Sequence, residues 1–273
     1  MSYTSGHIQA DHPTVMKAYD YRTAESCCAY LIPHLQPHYS ILDVGCGPGN
    51  ITEGLAKLCP QGKTIGVDIS QGVVRHATSR YCGPGGVPNL SFQLGDAGLL
   101  EQFRDDSFDV VHAHGCLLHV ADKIQSLKAF LRVCKPGGIV AVRDAVSFGT
   151  IWSLKPDLRA IREQWAKQRE ALLCMGSDPD TGMKKKEWAA EAGYEENGGR
   201  VFVSQSPQRM DVALRNFEGE MAEGAIENGF LTRQQVDGFK AAWDEWESTE
   251  GHELICPAAD MLCFKGKEVS RSV

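Results

Sequence analysis

The stretch Ile41-Leu42-Asp43-Val44-Gly45-Cys46-Gly47-Pro48-Gly49-Asn50 sets three glycines at alternate positions between a short apolar run and the start of a helical pattern. Glycines lack side chains, so a ligand can lie directly against their backbone. A helix start adds free N–H groups and the positive end of a dipole. The spacing departs from the dinucleotide fingerprint G-x-G-x-x-G, because Asn50 stands where the third glycine belongs and Pro48 stiffens the turn. No Gly-Lys-Ser/Thr follows, which excludes a nucleoside-triphosphate loop. Asp43 repels a pyrophosphate and can accept from an ammonium group. These residues describe a ligand that is nucleoside-like, carries no phosphate charge and has a cationic end. Asp68, in Gly66-Val67-Asp68-Ile69-Ser70, follows the glycines by about 20 residues, where a carboxylate accepts from ribose hydroxyls. A helix N-cap is its alternative. Asp96, in Gly95-Asp96-Ala97, can accept from an exocyclic adenine amine or close a turn.

These residues need a frame that holds them at one edge. Apolar runs at Ile41–Val44, Thr64–Val67, Leu90–Leu94, Phe108–Ala113 and Ile139–Arg143 read as strands. Amphipathic helices over Asn50–Cys59, Gln71–Tyr81 and Lys123–Cys134 alternate with them, and Lys135–Gly138 reads as a turn. Val15–Leu35 is helix-like, after a loose tail over 1–12. Residues 150–195 read as helical, with Leu158, Ile161, Trp165 and Leu172 on one side. Strands over Arg200–Ser204 and Met261–Lys265 follow, with helices over Asn216–Gly229 and from Thr232, whose Gln235 completes a capping box. The expected fold is α/β. Its sheet has seven mostly parallel strands with helices on both faces, and a helical cap is inserted after the fifth strand. The expected divisions are a lid over 1–35, a core over 36–149, a cap over 150–230, and 231–273 completing the core.

Composition narrows the partners. The 28 basic and 35 acidic residues leave a net charge of −7, against a dedicated nucleic-acid or anionic-membrane binder. The Lys184–Lys186 run reads as a solvated face. No apolar run reaches the ~18 residues of a spanning helix, and the first residues lack a signal-peptide pattern. The ten cysteines are scattered with no C-x-x-C pair, so they read as reduced thiols of a cytoplasmic protein with no metal site.

The ordered motifs D-V-G-C-G-P-G, V-D-I-S, G-D-A, F-D-V-V-H-A-H and K-P-G-G resemble class I S-adenosylmethionine-dependent methyltransferases, and most of all the ubiquinone/menaquinone-biosynthesis type. The match spans roughly residues 20–145. Tyr21-Arg22-Thr23-Ala24-Glu25 and Val142-Arg143-Asp144-Ala145 also resemble small-molecule methyltransferases of bacterial and fungal secondary metabolism. The resemblance implies a Rossmann-like sheet with a reversed last strand and S-adenosylmethionine as cofactor. It implies that Asp43, Gly45, Gly47 and Gly49 meet the methionyl part, Asp68 the ribose and Asp96 the adenine, with Cys46, Ile69 and Ala97 in the same motifs. It sets His114 and Gly115 beside the sulfonium, and Arg22, with Tyr21, over the methionyl carboxylate.

Methyl transfer from a sulfonium needs alignment more than acid or base. Where the acceptor must lose a proton, His114 and His119 are the candidate bases, because they follow a strand's carboxyl end. Asp144 is a third candidate at the same rim, with a salt link to Arg143 as its alternative. His112 is assigned to the sheet. Trp152 and Trp165 fit cap packing better than a substrate platform, and Cys46 and Cys116 lack a paired base. The expected reaction methylates an O, N or C atom of a small, mostly apolar acceptor such as a polyketide or tetramic acid. The alternative is a protein of this fold that binds the cofactor but catalyses a cyclisation or rearrangement, or is silent.

Overall fold

The computed structural model describes Met16, Tyr19, residues 21–210 and residues 219–267. The expected tail over 1–12, and parts of the helices expected over Val15–Leu35 and Asn216–Gly229, lie outside these residues. Strands β1 (Ile41–Val44), β2 (Thr64–Asp68), β3 (Leu90–Leu94), β4 (Phe108–His114) and β5 (Cys134–Ala145) pair in parallel in the order β3-β2-β1-β4-β5. The last strand, β8 (Glu253–Phe264), runs antiparallel to β5. On its other edge lies β7 (Arg200–Met210), paired from Arg200↔Phe264 to Met210↔Leu254.

Among the described residues the sheet has eight strands where seven were expected. The addition is β6 (Ser153–Lys155), three residues that continue the β5 edge along Glu253–Ile255. It falls inside the stretch expected to be helical throughout. Both β7 and β8 are longer than their apolar cores suggested, because each pairs the other along its full length. Lys135–Gly138 is no free turn. It is the opening of β5, where the register with β4 shifts between Phe108 and Val110 and Gly137 takes a φ of 77°.

Of helices α1 (Ala24–Cys27), α2 (Asn50–Leu58), α3 (Gln71–Tyr81) and α4 (Lys123–Val133), all but α2 start on a side-chain cap. Thr23 and Ser26 form a reciprocal capping box, Ser70 accepts from Val73 N–H, and Asp122 accepts from Gln125 N–H. One sheet face buries Ile41, Val110 and Ala141 under Ala24, Cys28 and Leu31 of the lid and Leu55 of α2. The other buries Leu42, Val111 and Val140 under Leu127 and Phe130 of α4 and Ala189 of α6 (Thr181–Glu191).

A second apolar cluster joins α5 (Arg159–Cys174) to α8 (Arg233–Ser248) through Ile161, Trp165, Trp243 and Trp246. Between them, α7 covers Gly219–Glu227. Trp165 is therefore cap packing, while Trp152 is exposed. The 150–230 range holds β7 and α6, both seated on the sheet, while α8 packs on α5. Among the described residues, no helix is long and apolar enough to cross a membrane.

Helix α6 reaches the sheet through Gly182, whose added Cβ would lie 2.4 Å from Ala145 O and 2.5 Å from Val146 Cα. Backbone cannot yield as a flexible side chain does. Gly182→Ala is therefore expected to destabilise the chain by about 1–3 kcal/mol, read as a lower urea midpoint; an unchanged midpoint contradicts this contact.

Candidate active site

The glycine loop is pinned before any ligand arrives. Gly45 N–H and Cys46 N–H both donate to Val67 O, at 2.8 and 3.0 Å, which folds the chain leaving β1 over the end of β2. The three glycines serve different ends. A Cβ on Gly45 would sit 2.7 Å from Cys116 Sγ, and one on Gly49 would sit 2.7 Å from the Phe92 ring. Gly47, at φ 53°, would meet nothing within 4 Å, so its backbone faces open space. Gly47 N–H donates to Asp68 Oδ2 at 3.1 Å, and Ser70 N–H donates to Oδ1 at 2.9 Å. The carboxylate is thus fixed at the rim of β2 beside the open glycine. Helix α2 begins directly after, and its N-cap Gly49 supplies no side-chain cap.

Asp43 lies below the loop, 2 % exposed, with both oxygens engaged. Oδ1 lies 2.7 Å from His112 Nδ1, and Oδ2 accepts from Thr52 Oγ1 at 2.6 Å. His112 Nε2 in turn lies 3.3 Å from Cys28 Sγ. The expectation that Asp43 meets the ammonium group directly is corrected by this burial; it positions the loop from behind. Burial pulls the His112 imidazolium down, but Cys28 and Asp43 oppose it more strongly and leave the pKa well above the usual 6.5. Cys46 also turns inward, packed with Phe92, so only its backbone faces the loop. Burial, with Asp68 and Asp43 nearby, pushes its thiol well above the usual value. Burial and Asp144 do the same to Cys116. Neither thiol is poised as a nucleophile.

At the ends of β2 and β3, Ile69, Leu94 and Leu99 are 45, 51 and 50 % exposed. These apolar side chains stand uncovered at the carboxyl rim of the sheet. Leu94 and Leu99 escaped the sequence reading because an apolar residue at a strand end carries no chemical signature. Asp96 stands exposed just after β3 and accepts from Gly98 N–H at 2.7 Å. Ala97 packs against the core.

The lid brings Arg22 to the post-β4 loop, with its Nη1 3.6 Å from where a Gly115 Cβ would stand. Its guanidinium stacks 4.2 Å from the Tyr19 ring centroid and 5.8 Å from that of Tyr21. Its Nε is buried without a partner among the described residues. Burial lowers its pKa, but the Tyr21 and Tyr19 phenols more than reverse this, so the cation is secure. A guanidinium with an unpartnered Nε–H beside Gly115 fits a carboxylate.

His114 ends β4 and faces the lid. Burial, then Arg22 and His112, push its pKa well below 6.5, so its imidazole is neutral at pH 7. His119 is exposed in the turn Leu117–His119, its Nδ1 3.2 Å from Ser177 Oγ.

Asp144 is corrected from a catalytic candidate to a buried structural pair, and its partner is Lys185 rather than Arg143. Successive strand residues point to opposite faces. Arg143 therefore pairs with Asp260 at 2.5 Å on the lid face, while Asp144 meets Lys185 Nζ at 3.0 Å on the α6 face. Burial raises the Asp144 pKa, and Lys185 opposes that rise. Lys185 also donates to Val142 O and Ala259 O. It is fully buried, so the Lys184–Lys186 run is not a solvated face. Nothing in three consecutive lysines signals which one turns inward. A cavity of about 590 Å³ lined by Lys57, Arg80, Tyr81 and Asn89 lies among the carboxyl ends of α2 and α3, away from these groups.

With this geometry in place, comparison with known proteins decides the family. A methyltransferase-domain family model matches residues 35–196. The chain belongs to this methyltransferase family. It is 32 % identical over 186 residues to an uncharacterized methyltransferase of Schizosaccharomyces pombe, covering 66 % of this chain and 65 % of that one. It is 28 % identical to the probable methyltransferase ltbC of Aspergillus luteorubrus, covering 96 % of this chain and 98 % of that one. Among solved structures it is similar to phosphoethanolamine N-methyltransferase 2 of Haemonchus contortus, in complex with phosphomonomethylethanolamine and S-adenosylhomocysteine. The TM-score is 0.59 at 17 % identity, over 93 % of this chain and 57 % of that one. That likeness is one of fold. The methyltransferase fold is thus the class I Rossmann-like one expected from the motifs.

The Asp144–Lys185 pair generates a direct test. Lys185→Met leaves a buried carboxylate without its cation and is expected to cost about 3–5 kcal/mol. Adding Asp144→Leu, which removes the stranded charge, is expected to restore most of that loss in urea denaturation. A double variant no more stable than the single one contradicts the pairing.

Proposed function

We propose that this chain transfers a methyl group from S-adenosylmethionine to an O, N or C atom of a small, mostly apolar organic acceptor, of the polyketide or tetramic-acid kind found in secondary metabolism. The observation that carries the reading is the pinned loop Gly45–Gly49, with Gly47 open to the outside and the Asp68 carboxylate fixed beside it. That arrangement suits an adenosyl group with vicinal hydroxyls and no phosphate. We place the working site in the cytoplasm. The net charge of −7 favours a small molecule over a nucleic acid as the acceptor.

In this reading, Asp68 holds the ribose hydroxyls, the exposed side chains of Ile69, Leu94 and Leu99 hold the base with Asp96 beside it, and Arg22 holds the methionyl carboxylate. When bound, S-adenosylmethionine supplies an electrophilic methyl on a sulfonium whose departure needs no acid. The chain's contribution is alignment and exclusion of water, worth up to ~7–11 kcal/mol in favourable intramolecular cases. Tyr21 and Arg22 close one side. Gly115, at φ 62° with its N–H on Arg143 O at 2.7 Å, turns the chain away and leaves the post-β4 rim clear. Neutral His114 can accept a proton at Nδ1 from an acceptor that must lose one.

The test is incubation with methyl-labelled S-adenosylmethionine and small-molecule extracts, followed by mass spectrometry. A labelled product heavier by one CH2 unit is expected. Cofactor binding with no labelled product across broad extracts would instead favour the non-methylating alternative. His114→Ala is expected to lower kcat by roughly 10²–10⁴-fold, the usual span for a positioned acid or base, while leaving the KM for S-adenosylmethionine little changed. An equal effect on both makes His114 a pocket wall.

A further inference from the structure

Three more polar atoms are buried without a partner among the described residues: Tyr30 Oη, His114 Nδ1 and Arg143 Nε. Charge interactions link Tyr30 to Arg143, and His114 to both Arg22 and Arg143. All belong to the lid segment or to the sheet face beneath it. Cys28 Sγ, in the lid, contacts His112 on β4, and His114 lies two residues further along the same strand face. His114 pairs in register with Arg143, and Arg143 with Asp260, so one row of side chains crosses the carboxyl rim of the sheet.

The charges in that row are accounted for. Arg143 Nη1 donates to Asp260 Oδ1 at 2.5 Å and to Ser206 Oγ at 2.7 Å, and Ser206 Oγ donates to Asp260 Oδ2 at 2.5 Å. Asp260 is thus spent, while Arg143 Nε is left with a hydrogen to donate. Gln208 Nε2 reaches Tyr21 Oη at 3.5 Å and closes the far end of the row against the lid. A buried polar group left unpartnered is costly. Four lie in the lid segment or on the one sheet face beneath it, where a polar ligand can complete them. Arg22 serves the methionyl carboxylate in the reading above. Tyr30, His114 and Arg143 remain.

We propose that Tyr30, His114 and Arg143 form the acceptor's anchoring subsite, and that the acceptor presents to them an acidic oxygen, enolic or phenolic. This rests on the methyl-transfer reading of the same site. Arg143 Nε–H and Tyr30 Oη–H are donors that suit an oxygen carrying partial or full negative charge. His114 Nδ1, on a neutral ring, accepts the hydrogen bond of the enol or phenol O–H or shares its proton. An imidazole held below its usual basicity matches an already acidic hydroxyl and not an aliphatic alcohol. The subsite deepens the expectation of a mostly apolar acceptor: the body is apolar, and one oxygen is acidic.

The experiment measures binding to the full chain saturated with S-adenosylhomocysteine, using 4-hydroxycoumarin and its O-methylated form, 4-methoxycoumarin, as probes. Wild type is expected to bind the hydroxyl form at least about tenfold more tightly, the worth of a charge-assisted hydrogen bond. Tyr30→Phe is expected to remove most of that preference while keeping its affinity for S-adenosylhomocysteine, which reports that it is folded. A wild type that does not discriminate, or that binds neither probe, overturns the subsite; the orphaned atoms then hold ordered water only. Full discrimination by Tyr30→Phe also overturns it, because the preference is then steric. Failure of wild type to bind S-adenosylhomocysteine overturns the methyl-transfer reading itself, and the subsite with it.

Discussion

A single buried carboxylate sets the geometry of the site. Asp43 sits at the end of β1 with almost no contact with water, so its charge must be met by neighbours or it cannot stay. Its neighbours come from three elements: His112 from β4, Thr52 from α2 and, through the His112 ring, Cys28 from the lid. One desolvated group thereby ties the central strand pair to the helix that carries the loop and to the segment that closes over it. Within the Gly45–Gly49 loop above, the three glycines offer no side chain to hold their position, and Cys46 turns inward. The loop inherits its shape from this cluster and from the paired N–H groups on Val67 O.

Strand alternation then divides the remaining charges between two faces. Arg143 and Asp144 are neighbours in sequence but serve separate networks. Asp144 and Lys185 fasten α6 to the sheet on the face away from the lid. Arg143, Asp260 and Ser206 form the floor under the lid, where Arg22, Tyr30 and His114 keep polar atoms in reserve. The first network costs desolvation and returns rigidity. The second is incomplete as it stands and gives the lid face its capacity to receive a polar ligand.

The sequence made the first half of the chain legible because strands, caps and glycine turns there follow local rules. Ile41–Val44, Gln71–Tyr81 and Leu90–Leu94 fall where periodicity puts them, and Thr232 with Gln235 caps α8 as its spacing requires. Long-range pairing was not legible. The lengths of β7 and β8 depend on each other, and the three residues of β6 become a strand only because Glu253–Ile255 lies beside them. The site divided along the same line. Asp68 and His114 stand at the carboxyl ends of β2 and β4, where strand alternation alone puts them. The burial of Asp43, the inward turn of Lys185 and the orphaned Tyr30 all depend on which distant element packs above, and spacing along one chain carries no trace of that.

The account stands on the claim that an adenosyl group lies over the open middle glycine. The most direct measurement is an amide NMR titration with S-adenosylhomocysteine. The account predicts the largest shifts at Gly45, Gly47, Ile69, Asp96 and Gly115. Absent shifts, or shifts confined to the cavity between Lys57 and Asn89, would contradict it.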